Sequence, residues 1–313
     1  MSLSFSLKFN IKPFKIIEAQ NSILLTGSCF TEKIGEYLKK SGFNTFINPF
    51  GIIYNPISIS NSINSVIENR IYNQNDLFLT HEKRYVSFEH HGKFSGNEIS
   101  KVLKNINGNI QNAHFFLKNA SCIVITLGTA WAYRLKNNNK IVANCHKVPN
   151  NQFAKELLSI DTICQNLVLT IENLRNFNKN IKIIFTVSPV KHLADGIVEN
   201  LQSKSVLLLS IKEILDELPE NNYYFPSYEI VTDELRDYRF YENDHAHPTL
   251  QATEYVWQRF VNTCFTESAT KKVDDAMKLN KMLNHRQIVE GNEPNPDIFE
   301  RIKLFLETYK KQK

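Results

Sequence analysis

No apolar run in this sequence approaches the ~20 residues that a membrane-spanning helix needs, so no membrane span is expected. Cysteine is scarce. Cys29, Cys122, Cys145, Cys164 and Cys264 are odd in number and show no CxxC spacing. That pattern excludes a disulfide framework and a zinc ribbon, and predicts a reducing, cytoplasmic setting. Long blocks of one charge sign are also missing. Net charge is +5 with a pI near 8.8. The nearest basic cluster, Lys310-Lys311-Gln312-Lys313, reads as a solvated tail, and no nucleic-acid partner is expected. There is no internal repeat, no low-complexity linker and no GxSxG serine motif. A secretory leader is not expected either. Lys8, Lys12 and Lys15 precede Ile23-Leu24-Leu25 and Cys29 in the manner of a lipoprotein signal. Glu18, Gln20 and Asn21 interrupt the apolar part, which falls short of the ~7–15 residues required.

What is present is an ordinary globular balance: 42% hydrophobic and 22% charged residues over 313 positions. This length accommodates a large core with an appendage. Apolar β-branched runs at 23–26, 122–127 and 181–187 predict buried strands, and 229–231 predicts a last one. Amphipathic spacing predicts helices over 31–40, 154–175, 203–218 and 250–265, with Gly42 ending the first. Alternation of the two predicts an α/β fold, a mostly parallel open sheet covered on both faces. Residues 1–266 are expected to form the main domain. Within it, 56–120 reads as an insertion of short helices near the substrate pocket. Residues 267–313 read as a helical C-terminal extension, with helices at 270–284 and 297–311 separated by a polar break at 290–296. It would wrap the core or form a dimer contact, and the oligomeric state is left open.

Two short stretches carry the chemistry. Thr26-Gly27-Ser28-Cys29-Phe30 lies in the first strand-to-helix connection, at the carboxyl edge of a parallel sheet. Asp244-His245-Ala246-His247-Pro248 precedes the helix at 250–265. A Ser hydroxyl needs a base, and a base His needs a carboxylate to fix its tautomer. Ser28, His247 and Asp244 fit those roles. Ser28 and Asp244 also fit plain helix capping, and His247 a satisfied polar residue before Pro248.

These residues resemble the SGNH (GDSL-type) hydrolase superfamily, and within it the GSCFA family, whose naming motif here reads Gly27-Ser28-Cys29-Phe30-Thr31. The resemblance continues through Asn48-Pro49-Phe50-Gly51-Ile52-Ile53-Tyr54-Asn55-Pro56, Leu127-Gly128-Thr129-Ala130-Trp131, Asn144-Cys145-His146-Lys147-Val148-Pro149 and Thr186-Val187-Ser188-Pro189-Val190. It ends in Tyr224-Phe225-Pro226-Ser227-Tyr228-Glu229, Tyr238-Arg239-Phe240-Tyr241 and Asp244 to Pro248. It implies a three-layer α/β/α fold and a triad of Ser28, Asp244 and His247. It also implies an oxyanion hole from the Ser28 N–H, a Gly N–H matched by Gly51, and an Asn side chain. The usual third block, Gly-x-Asn-Asp, is replaced by Gly128-Thr129-Ala130-Trp131. Thr129 or Asn55 is then expected to supply the missing donor, which is worth ~3 kcal/mol or more.

The resulting expectation is a Ser-dependent esterase or O-acyltransferase. It would act on a small acyl ester through an acyl-Ser28 intermediate. Acetylated carbohydrate enters by superfamily analogy alone. The alternatives are a binding protein on the same fold, and a thiol enzyme using Cys29 at the helix N-terminus. His146 and His192 are placed at the pocket. His90-His91 and Lys93 read equally as substrate wall or solvated loop, Lys191 as an anion contact or a loop residue, and Arg239 as a clamp or a packed Arg. No cofactor is called for, and the spacing of Cys145, His146, Asp244, His245 and His247 matches no recognised metal pattern.

Overall fold

The computed structural model describes residues 7–287, 301–302, 304–305 and 307–309. The first elements are β1 (Ser22–Gly27), α1 (Cys29–Lys40), β2 (Asn44–Ile47), α2 (Pro56–Ile67), β3 (Phe78–Leu79) and β4 (Tyr85–Val86). Then come α3 (Ile99–Lys118), β5 (Cys122–Leu127), β6 (Trp131–Leu135), β7 (Ile141–Val142), β8 (Phe153–Leu157) and α4 (Ile160–Phe177). The last are β9 (Lys182–Val187), α5 (Ile197–Glu217), β10 (Asn222–Tyr224), α6 (Ser227–Glu229), α7 (Leu250–Cys264) and α8 (Glu267–Gln287).

Five parallel strands form the central sheet in the order β10-β9-β5-β1-β2. Both faces are apolar because side chains alternate along each strand. Leu24, Ile123, Ile125, Ile183 and Phe185 face one core, which α2, α3, α4 and α5 cover. Ile23, Leu25, Cys122, Val124 and Ile184 face the other, covered by α1, α7 and α8. The result is a three-layer α/β/α fold. Strand order reverses between β1 and β5. Ligand crevices of open parallel sheets lie beyond the carboxyl ends of the strands at such a point.

Several sequence expectations need correction. The stretch 56–120 is not an insertion of short helices. α2 and the 20-residue α3 supply Ile59, Ile63, Ile106 and Ile110 to the main core. Their apolar residues recur at helical spacing, and only the segment between them is peripheral. The helix expected over 154–175 begins instead at Ile160. Ser159 caps it by accepting from the Thr162 N–H. The residues before it form β8, the partner of β6 in a small antiparallel sheet, β7-β6-β8, that propensity did not reveal. Residues 229–231 are not a strand. They belong to α6 and to a π-helical turn, Ile230–Leu235, with Ile230 and Val231 fully buried. Three β-branched or apolar residues are too few to set strand over helix when burial serves both. β10 takes the sheet edge. α5 starts six residues before the expected 203. α8 extends through 267–287 and buries Ala269, Val273 and Ala276. The predicted break at 290–296 lies outside the described residues. No described helix is long and apolar enough to cross a membrane.

Candidate active site

Ser28 follows β1 directly and occupies the N-cap position of α1, yet its side chain caps nothing. Its Oγ is buried and, among the described residues, has no hydrogen-bond partner. A buried hydroxyl left unpaired costs ~1–3 kcal/mol, so capping does not explain this serine. The turn around it is fixed from two sides. Gly27 sits at φ +133°, and a Cβ there would lie 2.1 Å from Thr126 O. Only glycine meets both conditions. Asn48, fully buried at φ +48°, accepts the Gly27 N–H on Oδ1 at 2.9 Å. Asn48, which opens the Asn48-Pro49-Phe50-Gly51 motif, thus restrains the turn that carries Ser28.

Asp244 and His247 form a closed dyad. His247 Nδ1 meets Asp244 Oδ2 at 2.6 Å, and Asp244 Oδ1 accepts the Ala246 and His247 N–H groups at 2.9 and 3.0 Å. The two backbone N–H groups, His247 first, and then the imidazole hold the Asp244 carboxyl well below the usual carboxylate range. Asp244 does not cap the following helix. Thr249 does, accepting from the Ala252 N–H at 3.3 Å. The dyad orients the ring and leaves Nε2 as the nitrogen that can take a proton. No hydrogen bond joins it to Ser28, whose Oγ is unpartnered among the described residues.

A cleft of ≈ 550 Å³ adjoins the dyad loop at Asp244 and Ala246, and His247 is not in its wall. Tyr54, Asn55, Trp131, Tyr133, His192 and Asp244 are among its walls. Thr129, as expected, lines it; Ser28 does not. Tyr54 connects cleft and turn. Burial, with the nearby Cys29 thiol and Glu32 carboxylate adding to it, pushes its phenol up to about 12. The His192 ring stands edge-on to Tyr54 at 5.2 Å, with Nε2 buried and unpartnered. Burial, and then the Lys204 ammonium, push His192 down to about 4, so it is neutral at pH 7.

The expected oxyanion donors are mostly engaged. Ser28 N–H donates to Thr126 O at 3.2 Å, Gly51 N–H to Asn48 O at 2.8 Å and Gly128 N–H to Tyr54 O at 2.8 Å. Thr129 N–H donates to Tyr54 O at 3.2 Å, and its hydroxyl bonds Ser203 Oγ at 2.9 Å. Asn55 differs. Its Oδ1 caps α2 through the Ser58 N–H, and Nδ2 donates to Val142 O at 3.3 Å. An amide carries two N–H bonds, which leaves one for the cleft.

His146 is a correction. It lies against Ser87 O and lines a separate ≈ 430 Å³ cavity beside Phe78 and Phe88. Cys145, next to it, lines the cleft. His90 is neither wall nor solvated loop. It is stacked on Phe50 at 4.3 Å, buried to 1%. Lys191 sits over the Tyr241 ring at 3.8 Å and lines the cleft. Arg239 is exposed and pairs with Asp237. Burial raises the Cys29 thiol above its ordinary value, which disfavours a thiolate. Among the described residues no three His, Cys, Asp or Glu are grouped to hold a metal ion.

No curated protein matches this sequence. Among solved structures it is similar to an acetyl xylan esterase from the rumen bacterium Butyrivibrio proteoclasticus, at 10% identity and a TM-score of 0.36. That match covers 77% of this chain and 63% of the esterase, so the chain spans less than two thirds of its length. It is similar to a carbohydrate esterase family 2 enzyme of Corynascus thermopiles (Myceliophthora fergusii), at 10% identity and a TM-score of 0.38, over 87% of this chain and 69% of that one. It is also similar to the periplasmic domain of a lipopolysaccharide acetyltransferase from Salmonella ser. Paratyphi A, at 12% identity and a TM-score of 0.35, over 79% and 84%. The model of one family matches residues 22–260, which hold the Ser28 turn, the cleft and the Asp244–His247 dyad, and the chain belongs to that family, the GSCFA family.

Proposed function

We propose that this protein is a serine esterase or O-acyltransferase of the SGNH kind, acting on a small acyl ester. The observation that carries this reading is the pairing of opposites at one sheet edge. A buried serine hydroxyl has no partner among the described residues, while an Asp–His dyad is fully formed and has a ring nitrogen to spare.

In the reaction, His247 Nε2 takes the proton of Ser28 Oγ as Oγ attacks the acyl carbonyl. Asp244 holds the Nδ1–H and stabilises the imidazolium. The spare Asn55 N–H and the N-terminus of α1 stabilise the oxyanion. The alcohol leaves with the proton from His247, and the acyl group stays on Ser28. Water or an acceptor hydroxyl then completes hydrolysis or transfer. Ser28 is 1% exposed, so reaction requires the cleft to open toward it. The aromatic walls Tyr54, Trp131 and Tyr133, set among Asn144 and Asp195, suit a substrate with both apolar faces and hydroxyls, as an acetylated carbohydrate has.

A second reading is a binding protein that keeps the fold without turnover. It is favoured by the engaged N–H groups of Ser28, Gly51 and Gly128. Fluorophosphonate labelling separates the two. Labelling of the wild type that vanishes in Ser28→Ala and survives Cys29→Ala is expected. Because the Ser28 hydroxyl bonds nothing, Ser28→Ala should be as stable as the wild type, or up to ~1 kcal/mol more stable. Absence of labelling on the folded wild type supports the binding reading.

A further inference from the structure

α5 places Lys204 on its buried stripe, one turn before Leu207 and in register with Ile211 and Ile214. A lysine there is unexpected. The side chain is 1% exposed, and among the described residues no carboxylate pairs with it. Its Nζ donates to Gly128 O at 2.5 Å and to Ser188 O at 2.8 Å. Those carbonyls end β5 and β9, so the lysine ties together the two strand ends beside the β1 turn. Ser203, the preceding residue, holds the same loop through Thr129 Oγ1 and the Ala130 N–H at 2.9 and 2.7 Å.

A neutral amine has two N–H bonds, and two carbonyls accept them. An ammonium has a third, and no third acceptor exists among the described residues. The groups facing Lys204 from other elements are Cys29 of α1, His192 after β9 and the Tyr228 ring of α6, 5.8 Å from Nζ. None is an anion at neutral pH. A buried cation without a counter-ion is costly unless an anion forms nearby during function.

We propose that Lys204 is a positioning residue of the Ser28 site: it ties Gly128 to Ser188, so fixing the loop that carries the cleft-lining Thr129, and its buried positive charge adds to the stabilisation that the Asn55 N–H and the α1 N-terminus give the acyl oxyanion. This rests on the acyl-transfer reading above. Burial pushes Lys204 down to about 7, with Cys29 acting weakly against it, so the charge is present below neutral pH and lost above it.

The test is the rate of fluorophosphonate labelling against pH, for the wild type and Lys204→Gln. Gln keeps two N–H donors for the two carbonyls and removes the charge. The wild-type rate should fall on the alkaline side, and Lys204→Gln should label about 100-fold more slowly with that fall absent. A Gln variant that labels within about threefold of the wild type, with the same alkaline fall, makes Lys204 a structural tie and overturns the proposal. If Lys204→Gln does not fold, the wild-type profile decides: a rate that does not decline up to about pH 9 overturns it, because the lysine is then neutral without consequence. Failure of the wild type to label at any pH instead overturns the acyl-transfer reading itself.

Discussion

The turn that carries Ser28 and the loop that carries Asp244 and His247 are held by different means. Around Ser28 the restraints beyond its own helical turn come from afar in sequence: Asn48 on the Gly27 N–H, Thr126 against the glycine, and Phe50 stacked on His90 behind the same loop. All of these side chains are buried. The dyad is held mainly by its own neighbours, with one distant tie, the Lys191 N–H donating to Ala246 O at 3.1 Å. Asp244 bonds residues two and three places on, Glu242 N–H donates to His247 O at 2.7 Å, and both functional side chains are about half exposed. Ser28 is thus set by the core, and His247 by a loop at the surface. Two histidines show the same contrast. Burial pushes His90 down to about 3 inside an aromatic box, whereas His247 stands at the surface beside its carboxylate.

This contrast breaks most visibly at Gly27. Gly27→Ala places a Cβ against Thr126 O at a φ that L-residues rarely adopt. It should cost ~4 kcal/mol or more, read as a lowered urea midpoint or loss of soluble protein. A wild-type midpoint would mean that the turn is not held as described.

The next effect is a pH effect on the buried side. The folded-state value of His90 lies below its ordinary 6.5, so the unfolded chain takes the proton first. That stability is complete above about 6.5 and is lost as pH falls. His90 should account for about 2 kcal/mol of lost stability between pH 6.5 and 5. His192 adds a loss of the same sign. Urea titrations at the two pH values should show a smaller loss in His90→Phe. An equal loss in both proteins would remove His90 from the account.

The smallest effect on stability is expected at the dyad. Asp244→Asn should leave the urea midpoint in place while labelling falls by ~10²–10⁴, because the wrong His247 tautomer is then favoured. If the midpoint moves as far as at Gly27, the loop is coupled to the core and the contrast fails.

Much of this was legible in the chain itself. The buried strands β1, β5 and β9 are short β-branched runs that only a two-faced sheet can bury. The dyad was legible because three residues in one loop suffice to make it. Other features were not, each for a physical reason. β8 pairs with β6, about 20 residues away where Arg134 faces Ala154, so its partner was invisible to local pattern. Residues 229–231 are apolar in either conformation, and burial alone chose the helix. His146 was separated from the cleft by the direction its side chain takes, which spacing does not encode. Lys204 could have been found, since it shares the 3.6-residue spacing of Leu207, Ile211 and Ile214, but a lysine on a buried stripe is weighed as an exception until its acceptors are known.

The sequence by itself determined the layer architecture and the chemistry available at the sheet edge. Alternation and helical spacing are local properties, and the Ser, Asp and His types are fixed by composition of two short motifs. Only the tertiary structure decided which polar groups are satisfied. Among the described residues it left the Ser28 hydroxyl without a hydrogen-bond partner and gave Lys204 two carbonyl acceptors and no carboxylate, while engaging nearly every expected oxyanion donor. Hydrogen-bond satisfaction depends on which backbone groups distant strands bring together, and no local pattern carries that information.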